Sequence, residues 1–373
     1  MTLTIDADFP GGNILVDRID GDDVWLRQDH RDTEGWWFYW CCRVRGAAGR
    51  TITLHFTDGN VLADRGPTIS ADFVDWSWAD AHLEPECDED GDFRATVRFP
   101  ESHDVAYLSY SFPYVQSHLE AFLAKHAEHP HLHRSTLTTT EAGRPVEKLH
   151  LWDPQAKSLR KIMLSARRHA CESVANYELE GFLEAALDPS NKILQQVEVL
   201  VVPFVDKDGV EAGDQGKNRR PHDHNRDYTG SPRYATTRAI IAELDGWADQ
   251  RFDVCLDLHC PWIRGGRNDA IFLCEPPPEY QPEFDRFCRT LVEQNDSPLP
   301  FDPAANIGYG VDWNTGDEPT FGKWARDHTP ARLATTIEFP YAVAAGRAVT
   351  IDRARAFGRA LAHVILRWIV NRG

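Results

Sequence analysis

A short apolar run that leads directly into an amphipathic helix limits most strongly how this chain can fold. Residues 162–166 are apolar apart from one serine, and they predict a buried strand. Beyond Glu172 the apolar residues repeat at the spacing of one helix face: Ala175, Leu179, Phe182, Leu183 and Ala186. This spacing predicts a helix over residues 172–187. A functional site is expected at the turn between the strand and the helix.

His169 and Glu172 lie at that turn. Residues three apart are neighbours on a helical turn, so both side chains can point at one spot, and an imidazole with a carboxylate suits zinc. A catalytic zinc takes three protein ligands. We expect the third to be His259, which ends a second apolar run that starts at Phe252, because ligands bind at the carboxyl ends of strands in open α/β sheets. Taken alone, a His-x-x-Glu pair is more often a solvated surface pair.

Residues 1–112 carry short alternating or aromatic runs, separated by turn dipeptides such as Gly11-Gly12 and Asp58-Gly59. This pattern predicts an N-terminal antiparallel β-sandwich domain over residues 1–112. Six of the twelve tryptophans fall in it: Trp25, Trp36, Trp37, Trp40, Trp76 and Trp78. We expect them to fill the sandwich core, with sugar or peptide binding as the alternative.

After Pro113 the apolar period changes from two to about 3.6, and helices then alternate with apolar strands. Ser231 followed by Pro232 predicts a helix start, because serine caps helices and proline suits their first position. We predict that residues 113–373 form the catalytic domain, an α/β domain with a mixed, mostly parallel sheet flanked by helices.

The charge and cysteine content exclude several classes of partner. Asp and Glu number 58 against 40 Lys and Arg, and the net charge of −18 argues against nucleic acid or an anionic membrane as partner. The eight cysteines include no Cys-x-x-Cys pair, which suits a reduced compartment. Since we also find no export signal and no long apolar run, we expect a cytoplasmic protein without a membrane span.

The polar loop 206–228 contains Arg219, Arg220, Asn225 and Arg226. Arginine pairs with a carboxylate through two hydrogen bonds, so this set suits a substrate that has a terminal carboxylate and a carbonyl to polarise. Ion pairs with the aspartates of the same loop are the alternative.

Glu338 follows the apolar strand end 335–337, an awkward place for a charge without a role. A carboxylate there can accept a proton from water that a metal ion acidifies. A carboxylate that merely reaches solvent is an equally good interpretation of this position alone.

Five motifs, in this order, resemble the zinc metallocarboxypeptidases of the carboxypeptidase A type: His-x-x-Glu, Asp-Gly-Val, the Asn-Arg of DHNRDY, a strand-ending Leu-His, and Thr-Ile-Glu. The segments FPGGN, GWWFYW and SYSFPYVQSHL, with a β-sandwich before the catalytic domain, are similar to the cytosolic carboxypeptidase subfamily. The resemblance covers nearly the whole chain. This chain departs from the family in reading His-Ala-Cys-Glu for the usual His-Pro-Gly-Glu, and Asp-Lys-Asp-Gly for Asn-Pro-Asp-Gly, but neither change removes a ligand.

The resemblance implies that His169, Glu172 and His259 bind one zinc ion per chain and that Glu338 is the general base. It describes a zinc-dependent carboxypeptidase that hydrolyses the C-terminal peptide bond of peptides or proteins. A zinc deacylase of small N-acyl amino acids and a non-catalytic peptide-binding relative are the alternatives.

For the substrate, the resemblance implies that Asn225 and Arg226 bind the terminal carboxylate. It also implies that Arg219 or Arg220 stabilises the oxyanion, and we favour Arg219. The nearest counterpart of the family's active-site tyrosine is Tyr309.

Overall fold

Two five-stranded β-sheets make up the N-terminal region. The computed structural model describes residues 2–84, 86–157 and 159–371. Within the described part, this region contains ten strands: β1 (Thr4–Asp6), β2 (Leu15–Asp20), β3 (Asp23–Arg27), β4 (Cys41–Arg45), β5 (Thr51–Phe56), β6 (Thr68–Ser70), β7 (Ser77–Trp78), β8 (Ala81–Leu83), β9 (Phe93–Arg98) and β10 (Val105–Ser109). The sheet orders are β1-β4-β10-β6-β7 and β2-β3-β5-β9-β8. Neighbouring strands are antiparallel except β3 and β5, which run parallel.

One hydrophobic core joins these two sheets. Alternate residues of β5, Ile52 and Leu54, are fully buried, as period-two alternation predicts, and they share this core with Val44 of the opposite sheet. Trp40 also fills the core, 4.9 Å from Phe56 between ring centroids. Trp76 is buried as well, whereas the remaining four predicted core tryptophans are only partly buried: Trp25, Trp36, Trp37 and Trp78.

The rest of the chain alternates strands and helices. Its described strands are β11 (Leu132–Thr139), β12 (Pro145–Leu151), β13 (Arg160–Ala166), β14 (Val197–Val202), β15 (Phe252–His259), β16 (Phe272–Leu273), β17 (Leu333–Glu338), β18 (Val343–Ala344) and β19 (Arg347–Ala348). Its described α-helices are α1 (Gln116–Lys125), α2 (Val174–Leu187), α3 (Lys207–Ala212), α4 (Ala235–Trp247), α5 (Gln281–Gln294), α6 (Phe321–His328) and α7 (Ile351–Val370).

Seven of these strands form a mixed sheet in the order β11-β12-β14-β13-β15-β17-β16. The four central strands, β14, β13, β15 and β17, run parallel to one another, and the three outer pairings are antiparallel. Strand β15 is buried along its whole length, as expected for a central strand of a sheet that is covered on both faces, and five of its eight residues are apolar. The carboxyl ends of the parallel strands therefore meet at one edge of the sheet.

Helices cover both faces of this sheet. Helices α2 and α7 cross closely on one face, where glycines allow the backbones to touch: a Cβ on Gly181 would lie 1.9 Å from the carbonyl oxygen of Arg355. On the other face, Ile240 of α4 and Phe321 of α6 pack with Met163 of β13. These layers confirm the expected α/β fold class with a β-sandwich in front of it.

The two regions share one continuous hydrophobic core. Between them, Ser173 Oγ donates a hydrogen bond to the carbonyl of Phe112 over 2.7 Å, and the hydroxyl of Tyr110 donates to the carbonyl of Cys171. The division into domains at residues 112 and 113 stays a prediction. In the described part of the chain, every helix is too short or too polar to cross a membrane.

Candidate active site

The structure brings the three predicted metal ligands together. His169 follows β13, and His259 is the last residue of the neighbouring parallel strand β15. Nδ1 of His169 lies 2.9 Å from Oε1 of Glu172, and Nδ1 of His259 lies 2.7 Å from Oε2. One ligand atom from each residue can be chosen so that all three lie within 4.8 Å of one another. All three side chains are buried.

Local hydrogen bonds hold the turn that carries His169 and Glu172. Arg167 adopts a left-handed conformation at the end of β13 (φ 61°), and its guanidinium donates to the carbonyl of Ala170 and to the side chain of Asn176. The hydroxyl of Tyr110, from the N-terminal region, donates to the carbonyl of Cys171. Glu172 therefore lies on a braced turn, two residues before helix α2 begins.

Carboxylates orient both histidines from behind. Nε2 of His259 lies 2.7 Å from Asp257, whose carboxylate also accepts a hydrogen bond from Arg168 over 2.7 Å. Nε2 of His169 lies 3.3 Å from Asp223. Because each Nε2 faces a carboxylate, the free Nδ1 lone pairs can face a metal ion, as is usual for metal-binding histidines.

The donor set fits a zinc ion. Oε2 of Glu172 is buried and lacks a properly aligned hydrogen bond, although His259 is close to it. Burial alone would lower the pKa of His259, but Glu172 and Asp257 raise it to about 10, so the cluster attracts a cation. Two imidazole nitrogens and one carboxylate oxygen match the three protein ligands of a catalytic zinc site.

Glu338 lies beside this cluster. It ends β17, the strand next to β15, and is paired in register with His259. The side chain is buried, and its Oε2 accepts no hydrogen bond in the described structure. Burial, with a further contribution from the charge of Glu172, raises the pKa of Glu338 to about 7. A carboxylate with a pKa near neutrality is suited to accept and return a proton.

Asn225 and Arg226 line the same cavity, whose volume is about 350 Å³ and which also contacts His169, His259 and Glu338. They lie on the short 3₁₀ turn His224–Arg226. Nε of Arg226 lies 2.5 Å from Oε2 of Glu318, an exposed carboxylate. The guanidinium of Arg226 is therefore already paired with a carboxylate, the kind of group that the resemblance assigns to it.

Three other residues were predicted for the site: Arg219, Arg220 and Tyr309. None of them is among the described residues that line this cavity. Arg219 donates instead to Asp206 over 2.9 Å and to Asp214 over 2.7 Å. Arg220 is mostly exposed and donates to the carbonyl of Thr33. Tyr309 is 40% exposed and also lies outside the lining.

Sequence reasoning missed three residues that surround the cluster. Lys217 Nζ lies 2.6 Å from Oε1 of Glu172, and the ring of Trp37 lines the cavity from the N-terminal region. Asp257 could have been predicted from the sequence. It lies two residues before His259 on the same strand, and residues two apart on a strand point to the same face. The position of Lys217 had no such signal, because a polar loop has no regular period.

Several known proteins are similar to this chain in sequence. Residues 119–246 match the family model of the zinc carboxypeptidases. An uncharacterized protein of Zymomonas mobilis is 26% identical over 271 residues, covering 69% of this chain and 68% of that protein. Human cytosolic carboxypeptidase 2 is 29% identical over 195 residues, which cover 48% of this chain and 21% of the human protein. The chain thus matches about a fifth of that relative's length.

Solved structures share the fold. A metallo-carboxypeptidase from Burkholderia cenocepacia has a TM-score of 0.82 at 22% identity, covering 99% of both chains. A metallo-carboxypeptidase from Pseudomonas aeruginosa, in complex with (2-guanidinoethylmercapto)succinic acid, has a TM-score of 0.78 at 19% identity, covering 97% of this chain and 98% of that one. The similarity includes both regions of the chain.

Proposed function

We propose that this chain, which carries a domain of the zinc carboxypeptidase family, is a metallocarboxypeptidase that removes the last residue from peptide or protein C-termini. One observation carries the proposal. The buried cluster of His169, Glu172 and His259 shares a cavity with a buried carboxylate, Glu338, and with Arg226. Hydrolysis needs a metal site, a base and a group that selects the substrate's end, and each has a candidate here.

In the proposed reaction, Arg226 binds the substrate's terminal carboxylate through paired hydrogen bonds, with Asn225 beside it. The substrate carboxylate takes the place of Glu318 on Arg226. This interaction holds the last peptide bond over the buried cluster and restricts the enzyme to chain ends.

Glu338 moves the protons. A zinc ion held by His169, Glu172 and His259 would acidify water and polarise the carbonyl. Glu338 accepts one proton from the attacking water as the new carbon–oxygen bond forms. It then donates this proton to the leaving nitrogen as the carbon–nitrogen bond breaks. The products are a shortened peptide and a free amino acid.

We also propose a location for the protein and exclude one class of partner. The excess of acidic residues makes nucleic acid a poor partner, and relatives named cytosolic carboxypeptidases support a cytoplasmic location. The substrate is then a peptide or protein C-terminus that this compartment holds.

The test measures turnover of three substrates by the zinc-loaded protein: an N-blocked peptide with a free C-terminus, the same peptide as a C-terminal amide, and an N-acyl amino acid. We expect release of one residue from the free acid, with little cleavage of the amide. Preferred turnover of the acyl amino acid would favour a deacylase. No turnover of any of the three, with zinc and peptide bound, would favour a binding protein.

A further inference from the structure

Lys217 places a positive charge in contact with the ligand cluster. Its ammonium lies 2.6 Å from Oε1 of Glu172 and 3.4 Å from the carbonyl oxygen of Cys260, the residue after His259. The side chain is only 14% exposed and lines the cavity. A positive charge therefore lies between the ends of the two strands that carry the ligands.

The backbone fixes Lys217 in this place. Gly216 has a φ of 78°, and a Cβ there would lie 2.1 Å from the amide nitrogen of Ala170, so glycine alone fits. The amides of Gln215 and Gly216 donate to the two carboxylate oxygens of Asp32, over 3.0 and 2.9 Å. The loop is thus pressed onto the turn between His169 and Glu172, and Lys217 follows immediately.

Arg219 has no comparable freedom to reach the cluster. Its guanidinium binds Asp206 and Asp214, and Asp32 lies 3.6 Å away. Three carboxylates compensate its charge in a site that is largely closed to water, so withdrawing it would leave buried anions without a partner. Its role in the structure is to join the loop to helix α3 and to the N-terminal region.

We propose that Lys217, in place of Arg219, stabilises the negative charge that develops on the oxygen of the scissile carbonyl. This inference rests on the proposed function. As water attacks the carbonyl carbon, the carbonyl electron pair moves onto the oxygen, and the Lys217 ammonium donates a hydrogen bond to it while keeping its proton. When the carbon–nitrogen bond breaks, the pair returns and the proton held by Glu338 goes to the amine.

A role limited to orienting Glu172 explains the position less well. The turn that carries Glu172 is already held by Arg167, which donates to the carbonyl of Ala170, and by Tyr110, which donates to the carbonyl of Cys171. An ammonium beside the ligands also repels a metal cation, which lowers metal affinity. The flexible four-carbon stem lets the charge move from Glu172 toward a substrate oxygen in the cavity.

Zinc-loaded Lys217→Met, Lys217→Arg and Arg219→Met test this assignment, with Lys148→Met as the matched control. Lys148 lies on strand β12, away from the cavity lining, and pairs with Glu243 of helix α4, so its loss should leave turnover unchanged. The readouts are zinc content, kcat and KM on a free-acid peptide, and the Kd of a phosphonate peptide, whose tetrahedral anion mimics the attacked carbonyl.

We expect Lys217→Met to keep one zinc per chain and an unchanged KM, while kcat falls by a factor of roughly 10² to 10³ and phosphonate binding weakens by a similar factor. Lys217→Arg recovers part of both. Loss of zinc, with unchanged kcat per bound zinc, would reduce Lys217 to a positioning residue and overturn the proposal.

Unchanged kcat and phosphonate binding in Lys217→Met would also overturn it, and a folded Arg219→Met that loses both would return the role to Arg219. Failure of the proposed function is a separate outcome, because the zinc-loaded wild type would then cleave no free-acid peptide.

Discussion

Two clusters of histidine and carboxylate side chains converge in the described part of the chain, one in each region. The first joins His169, Glu172 and His259 at the edge of the parallel sheet, and the second joins His55, Asp88 and Asp92 in the N-terminal sandwich. Both contain residue types that bind metals. Their surroundings differ in what the side chains already bind.

In the second cluster, His55 pairs with a carboxylate outside the cluster, and Asp88 accepts from backbone amides of its own loop. Nε2 of His55 lies 2.8 Å from Asp23, and its ring stacks on Trp25. Asp88 accepts hydrogen bonds from the amides of Asp90 and Asp92, each over 2.9 Å. In the first cluster, by contrast, the orienting carboxylates lie behind the histidines and an oxygen of Glu172 is left without an aligned donor. Proximity of metal-binding residue types is therefore a weaker indicator of a metal site than ligand atoms that lack a hydrogen bond and belong to side chains oriented by further contacts.

The largest expected effect is on metal binding. His259→Ala should lose the zinc and all turnover, because two ligands do not hold a catalytic zinc. His55→Ala, the matched change in the second cluster, should keep one zinc per chain. Metal analysis of both purified variants checks this, and zinc lost from His55→Ala but kept by His259→Ala would reverse the comparison.

Glu338→Gln tests the chemistry of the first cluster. Glutamine keeps the shape but accepts no proton, so kcat should fall by a factor of roughly 10² or more while zinc and peptide still bind. Asp92→Asn makes the same change in a buried carboxylate of the second cluster and should leave kcat unaltered. Near-normal turnover by Glu338→Gln would mean that the base is elsewhere.

Arg226→Ala should weaken transition-state binding by about 1.5 to 3 kcal/mol, the value of one charge-assisted pair. Amidating the peptide's C-terminus removes the same interaction from the other side. The two changes together should therefore cost little more than either alone, which a double-mutant cycle of kcat/KM values measures. Additive losses would show that Arg226 and the terminal carboxylate do not meet.

The seam between the regions offers a smaller effect, on stability. Burial lowers the pKa of His118 to about 4, and the neutral ring accepts from the amide of Val115 while its Nε2 contacts the carbonyl of Phe73 over 2.8 Å. Because the unfolded state binds this proton more readily, the stability contributed by the neutral ring should be complete above pH ~6.5 and should fall by about 3 kcal/mol toward pH 4.

His118→Gln does not titrate, so its free energy of unfolding should depend less on pH over this interval. Denaturant unfolding of both proteins between pH 4 and 7 measures the difference. Parallel pH profiles would remove His118 from the account of the seam.

The parts of the site that could be predicted from the sequence depend on short-range patterns. His169, His259 and Glu338 each follow an apolar run, and parallel strands bring their carboxyl ends to one edge. Strand β5 and the last helix, with Thr350 as its cap, also follow directly from local periodicity and capping.

The rest depends on contacts between distant segments. The helix predicted to start at Ser231 begins at Ala235, because the carboxylate of Asp227 accepts from the amides of Arg233 and Tyr234 and holds the intervening residues outside the helix. The position of Arg219 depends in part on Asp32, which is 187 positions away in the sequence, and no local pattern predicts such a partner. The parallel pairing of β3 with β5 likewise does not change the alternation of apolar and polar residues within either strand, so the sequence pattern does not predict it.

The central claim is that the cluster at the sheet edge, and not the one in the sandwich, holds the catalytic zinc. X-ray anomalous scattering at the zinc absorption edge, from crystals of the active protein, tests it in a single map. We expect one strong peak bounded by His169, Glu172 and His259, and none between His55, Asp88 and Asp92. A peak at the second cluster alone, in protein that cleaves free-acid peptides, would contradict the account.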